Sequence, residues 1–141
     1  MTTEQNPVIR AFDAYVAAVA AQDVEAFVAL YDDDVAVFDC WGQWKYSGLD
    51  AWRAMVTDWF RGLGRDTEEV VFADVHTTVG ADLAFGHAFV TFTAISPAGE
   101  RQRSLSNRLT VNLERRSVSW KIVHEHTSLP IDMKTGQAIF G

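Results

Sequence analysis

Basic residues are scarce in this chain: twelve Lys and Arg stand against nineteen Asp and Glu, leaving a net charge of -7. That balance repels phosphate backbones and anionic lipid, so neither nucleic acid nor a membrane surface is expected as a partner. Cysteine is scarcer still. Cys40 is the only one, so no intrachain disulfide can form and nothing points to an oxidising compartment. Long hydrophobic runs are missing as well. No segment approaches the roughly 18 apolar residues of a membrane span, and MTTEQNPVIR lacks the charged start and apolar run of a leader. The expectation is a soluble, cytoplasmic protein. No repeat, linker or low-complexity segment interrupts the 141 residues, which suits one domain over residues 1–141. What is plentiful is apolar bulk. Hydrophobic residues make up 48%, with five Trp and nine Phe, enough for a core plus an apolar pocket or interface.

One stretch stands apart, WKIVHEHTSLP from Trp120 to Pro130. On an extended strand Trp120, Ile122, His124, His126 and Ser128 share one parity, and Lys121, Val123, Glu125 and Thr127 the other. Two imidazoles, a hydroxyl and an indole on one face make a poor inert core, because each buried polar group needs a partner. The face reads as a cavity wall. The alternative sets the same residues at an edge or a dimer surface.

Taken in order, Asn6-Pro7 predicts an N-cap followed by proline at the first helical position, opening a helix to about Ala21. Val8, Phe12, Tyr15, Val16 and Val19 follow one helical face, so Tyr15 points inward. Asp23 caps a second, shorter helix, and Asp32-Asp33-Asp34 reads as a solvated turn. Val35, Val37 and Asp39 share a face of a short strand, which sets an acid at the end of an apolar row. An aromatic-rich turn follows over Trp41 to Tyr46. The Ser47 to Asp50 spacing predicts a capping box at the start of a helix over about 49–63, with Trp52, Met55, Val56, Trp59 and Phe60 as its buried stripe. From Glu69 onward the pattern predicts antiparallel strands near 69–79, 83–95, 102–114 and 118–128. Three helices and a long curled sheet make an α+β domain. Wrapped around an amphipathic helix, such a sheet leaves a cone open at one end to a ligand.

The helix-helix-strand opening, the DVEAFVALYDDDVAVFDCWG stretch, the SGLDAW helix start and the RLTVNLERRSVSWKIVHEHTS ending resemble the nuclear transport factor 2-like superfamily. Within it they resemble the SnoaL-like and ketosteroid isomerase-like proteins, over residues 8 to about 130. The resemblance implies a cone-shaped curved antiparallel sheet wrapped around three N-terminal helices; a homodimer packing sheet against sheet is the expectation for its assembly. It implies activity much less specifically, since the fold hosts isomerases, dehydratases, cyclases and non-catalytic association domains.

Carried over residue by residue, Asp39 looks like the family's general base and Tyr15 like the phenol that donates a hydrogen bond to a developing oxyanion. Thr110 stands where the isomerase has a protonated aspartic acid, and Trp41, Gly42, Gln43 and Trp44 where SnoaL-like relatives commonly have prolines. This chain adds histidine. His126, and His87 in LAFGHAFVTF, are candidate acid or relay groups beside Asp39, because an imidazole titrates near neutrality and a carboxylate in an apolar pocket holds protons more tightly. The combination of Asp, Tyr, two His and Ser128 resembles the dehydratase branch. Candidate substrate-binding residues are Trp41 and Trp44 at the mouth, Arg108, Thr110, Trp120, His124 and Ser128. Arg108 pairs with Asp39, holds a substrate carboxylate, or forms a plain structural ion pair. No metal and no cofactor is expected, since the HxH of His124 and His126 lacks a third placed ligand. The leading expectation is a small-molecule protein catalysing cofactor-free proton transfer on an apolar carbonyl or hydroxyl compound. The last two strands also resemble those of the calcium/calmodulin-dependent kinase II association domain, and the alternative is a non-catalytic ligand-binding or association domain.

Overall fold

The Asn6 carboxamide accepts from the backbone N–H of Val8 and Ile9 at 3.0 and 3.1 Å, and Pro7 follows where no amide hydrogen is needed. This cap opens α1 (Pro7–Ala21) in a computed structural model that describes residues 5–141. The stretch read as lacking a leader begins in residues 1–4, which lie outside the described residues. Asp23 caps α2 (Val24–Val28) through the Ala26 N–H. The third helix, α3 (Leu49–Gly62), starts differently from the expectation. Its N-cap is Gly48 at φ 85°, with no side-chain cap bond, because Ser47 is drawn into a short strand instead.

Six strands follow the order β2-β1-β6-β5-β4-β3 in one sheet. They are β1 (Tyr31–Phe38), β2 (Tyr46–Ser47), β3 (Thr67–Val79), β4 (Leu83–Ile95), β5 (Arg101–Arg116) and β6 (Ser119–Ser128). The long strands lie close to their predicted spans, but the sheet is not purely antiparallel. β1 runs parallel to β6, which the long crossover through α3 and β3 to β5 permits. The three acids Asp32 to Asp34 lie inside β1 rather than in a turn. The register between Tyr31 and Ala36 is broken there, so Asp33 and Asp34 stay exposed while the strand continues, and the partly buried Asp32 meets Arg116 at 3.2 Å.

β5, with 16 residues, spans about 50 Å at the usual strand rise, too long to lie flat over three short helices. The sheet curves instead, and irregularities help it bend. Asp74 takes a left-handed φ of 53° where the β3–β4 register shifts, and a second shift breaks the β5–β6 register between Asn112 and Leu113. Helix α1 packs into the concave side, with Phe12 stacked on Phe72 at 4.1 Å. Ala84, Gly86 and Ala88 give β4 a row of small residues on that side. A Cβ on Gly86 would come within 2.7 Å of Val8 Cγ1 and 3.0 Å of the His76 carbonyl oxygen, so glycine there lets the helix approach. The helices and the concave face form the core and leave one end of the cone unfilled. No helix among the described residues is long and apolar enough to cross a membrane.

Candidate functional site

Asp39 is the first residue after β1, and the row it ends is apolar: Val35 and Val37 are fully buried. Its Oδ1 accepts from the Thr127 hydroxyl at 2.8 Å, and that same hydroxyl accepts from the Cys40 backbone N–H at 2.8 Å. The carboxylate therefore has one defined orientation. It opens on a cavity of about 290 Å³ between α1, α3 and the concave sheet, a volume that suits a one- or two-ring compound.

Three further ionisable groups reach the cavity among the described residues. The Tyr15 hydroxyl comes from α1, whose ring is fixed against Phe27 and Phe72 at 4.7 and 5.3 Å. Among the described residues it has no hydrogen-bond partner, and it is open to a ligand. Glu125 comes from β6, is only 2% exposed, and accepts from the Tyr31 hydroxyl at 2.7 Å. Glu68 comes from β3, on another wall. Apart from Asn107 and Thr127, the rest of the lining is largely apolar, with Trp41, Trp52, Trp59 and Phe92 as its aromatic residues. Trp41 is itself covered on one side by Phe140, stacked at 5.7 Å, so the C-terminal segment borders the mouth.

This enclosure sets the protonation of the groups inside it. Burial pushes Asp39 up, and the Thr127 hydroxyl and nearby Cys40 amide offset only part of that effect. Burial also pushes Glu125 up, to about 8, against the Tyr31 hydrogen bond and with help from the negative charge of Asp39. Glu68 is raised by burial too, though Trp59 and Arg103 favour its charged form. Tyr15 is held well above the usual phenol range, first by burial and then by the carboxylates Glu125, Asp39 and Glu68. One carboxylic acid therefore keeps its proton near neutrality while Asp39, less strongly shifted, gives its proton up first.

The histidines are elsewhere. A bulge at Val123, where Asn112 pairs with His124 but Leu113 pairs with Ile122, inverts the alternation of β6. Before it Ile122 faces the core; after it Glu125 and Thr127 do, and His124 and His126 turn to the outer face. Ser128 follows them there and accepts from Arg108 Nε at 3.0 Å, so Arg108 does not pair with Asp39. His124 Nδ1 donates to the Ala36 carbonyl at 2.6 Å, and Phe38 lies edge-on to both His124 and His126. His87 is stacked on His76 at 5.0 Å, exposed. Thr110 is the cross-strand neighbour of both His87 and His126. One row on the outer face thus runs His76, His87, Thr110, His126, Phe38. Trp120 is packed against the core without lining the cavity. Trp44 is 97% exposed, beside a separate depression of about 450 Å³ that His126 also borders and that Asp39 and Thr127 divide from the inner cavity.

Of the predicted site residues, Asp39, Tyr15 and Trp41 meet at the cavity; His126, His87, His124, Thr110, Arg108 and Ser128 do not. The parity argument missed Glu125, Thr127, Glu68 and Asn107. The row Asn107, Leu109, Val111, Leu113 on β5 is buried without interruption, and antiparallel partners share a face. Matching β6 to that row would have signalled the inward turn of Glu125 and Thr127.

A family model described as the SnoaL-like domain matches residues 8–132. Among solved structures, an NTF2-like protein of unknown function from Pseudomonas putida is 27% identical, covers 99% of this chain and 96% of its own, and superposes with a TM-score of 0.82. An NTF2-like protein with a cystatin-like fold from Novosphingobium aromaticivorans is 18% identical over 92% of this chain and 84% of its own, with a TM-score of 0.74. A putative calcium/calmodulin-dependent protein kinase II association domain from Xanthomonas campestris is 20% identical over 86% and 84%, with a TM-score of 0.73. No curated protein matches the chain.

Proposed function

This chain belongs to the SnoaL-like domain family, a small-molecule-binding cone fold, and on that premise we propose that it is a cofactor-free acid–base enzyme acting on a small cyclic carbonyl or hydroxyl compound. The observation that supports this reading is the pairing of Asp39, oriented by Thr127, with an unbonded Tyr15 hydroxyl on one enclosed apolar cavity. Asp39 takes a proton from the carbon beside the carbonyl: the C–H bond breaks, an O–H bond forms on the carboxylate, and the electron pair moves to the carbonyl oxygen. Tyr15 donates a hydrogen bond to that oxygen as its charge develops. The proton then returns to a different carbon, giving isomerisation, or to a departing hydroxyl, giving water and dehydration. Glu125, protonated near neutral pH, is the second proton donor in reach of the cavity. Low polarity strengthens each of these interactions.

The experiment is hydrogen–deuterium exchange on a panel of cyclic ketones and hydroxy-ketones, followed by NMR with native protein and Tyr15→Phe. The variant keeps the ring contacts and loses only the hydroxyl, so a rate about 10²-fold lower is expected. Exchange by neither protein on any member of the panel would leave a binding domain as the better reading.

We further propose that the outer sheet face joins a second copy. Phe85 and Phe89 are each 51% exposed there on either side of His87, and Phe38, exposed as well, lies on the same face beyond β5 and β6; exposed large apolar side chains of this kind mark interfaces. Phe89→Glu should convert a dimer to a monomer in light scattering, since each copy would bring an unpaired charge to the buried face.

A further inference from the structure

We infer that the ligand of this cavity is a cation, a protonated amine borne on one or two rings. The inference rests on the cavity being the small-molecule site proposed above and adds its charge. Asp39, Glu68 and Glu125 reach the space from three different elements, and no lysine, arginine or histidine lines it. Arg103 is near enough to Glu68 to favour its charged form but is not part of the lining. Three aromatic residues, Trp41, Trp59 and Phe92, line it, and aromatic rings attract a cation more strongly once it is out of water.

A second observation comes from Asn107. It is 6% exposed, lines the cavity, and its Nδ2 contacts Cys40 Sγ at 3.6 Å, but its Oδ1 has no hydrogen-bond partner among the described residues. A buried acceptor left alone is costly. An ammonium supplies three donors to the Asn107 oxygen and the carboxylates, while Trp52 Nε1, the other buried polar atom on this lining without a partner among the described residues, is a donor left for an acceptor on the ligand. A neutral ketone uses Tyr15 or Trp52 Nε1 but brings no donor to the Asn107 oxygen or the carboxylates. With an amine elsewhere on the ring, Tyr15 is left for the carbonyl and Asn107 and the carboxylates take the N–H groups.

The test uses the full chain and two pairs of isosteres, phenethylamine against 2-phenylethanol and tryptamine against tryptophol, by titration calorimetry at pH 7. The amines, which like lysine stay protonated to about pH 10, are expected to bind about tenfold more tightly than the alcohols. Glu68→Gln should cut that preference about fivefold. Calorimetry of the native protein in two buffers of different ionisation enthalpy should also show proton release with the amines, because a nearby cation favours the ionised form of a carboxyl group. Alcohols that bind as well as amines, no binding by either, or a preference untouched by Glu68→Gln with no proton release would each overturn the inference. Failure of the acid–base reading is distinguishable. If neutral ketones exchange in an Asp39-dependent way while alcohols bind as well as amines, only the charge assignment falls. If amines bind preferentially and Asp39→Asn leaves exchange unchanged, only the catalytic assignment falls.

Discussion

Asp39→Asn is expected to slow carbon-bound proton exchange about 10³-fold, within the range by which positioned general bases accelerate reactions, while leaving the fold intact. The asparagine side chain fills the same space, and its carbonyl oxygen can still accept from the Thr127 hydroxyl that holds Asp39 at 2.8 Å. What it cannot do is accept a proton. Stability at pH 7 should hold or rise, because the native carboxyl is pushed up by burial, meaning that the folded state pays for its ionisation. The rate is read by NMR and the fold by thermal denaturation. A decrease below tenfold in a folded variant would remove Asp39 from the role of base. A large decrease with an unchanged affinity for a bound ring compound would separate proton transfer from binding, which a purely structural Asp39 could not do.

Why Asp39 and Tyr15 could be placed from the sequence and the rest of the site could not comes down to range. Tyr15 follows a helical face with Val8, Phe12 and Val19, and Asp39 follows two buried valines; both patterns are local, and local periodicity survives folding. Helix and strand spans were legible for the same reason. The site on β6 was not. A single extra residue at Val123 moved Glu125 and Thr127 inward and both histidines outward, and bulges leave no strong local signature. The same histidines lie on the outer face of the sheet rather than on a cavity wall; the alternative reading sets them at an edge or a dimer surface, and a dimer through that face is a proposal. Glu68 and Asn107 reach the cavity only through the curvature of β3 and β5, which depends on register across the whole sheet. The parallel pairing of β1 with β6 was hidden likewise, since each strand taken alone fits either direction.

Glu125→Gln should flatten the dependence of stability on pH, and the sign follows from where its proton sits. Unfolded, the carboxyl titrates near its ordinary value of 4.5; folded, it titrates at about 8. Below 4.5 both states are protonated and above 8 both are ionised, so this group contributes no slope there. Between the two the native protein holds a proton that the unfolded chain has released, and stability falls as pH rises. At about 1.4 kcal/mol per pH unit the loss across that window is about 5 kcal/mol, a large part of the stability of a domain this size. Glutamine keeps an acceptor for the Tyr31 hydroxyl, now at 2.7 Å from Glu125, and carries no charge at any pH. Urea unfolding at pH 5, 7 and 9 should therefore show native protein weakening steeply and the variant only slightly, with a residual slope of the same sign from Asp39 and Glu68, both also raised by burial. Equal slopes would mean that Glu125 loses its proton at an ordinary pH and that the cavity is wetter than its lining implies. A steep native slope has a functional side too. A buried acid that gives up its proton only near pH 8 is one that a ligand's charge can titrate, so the cavity responds chemically to what enters it.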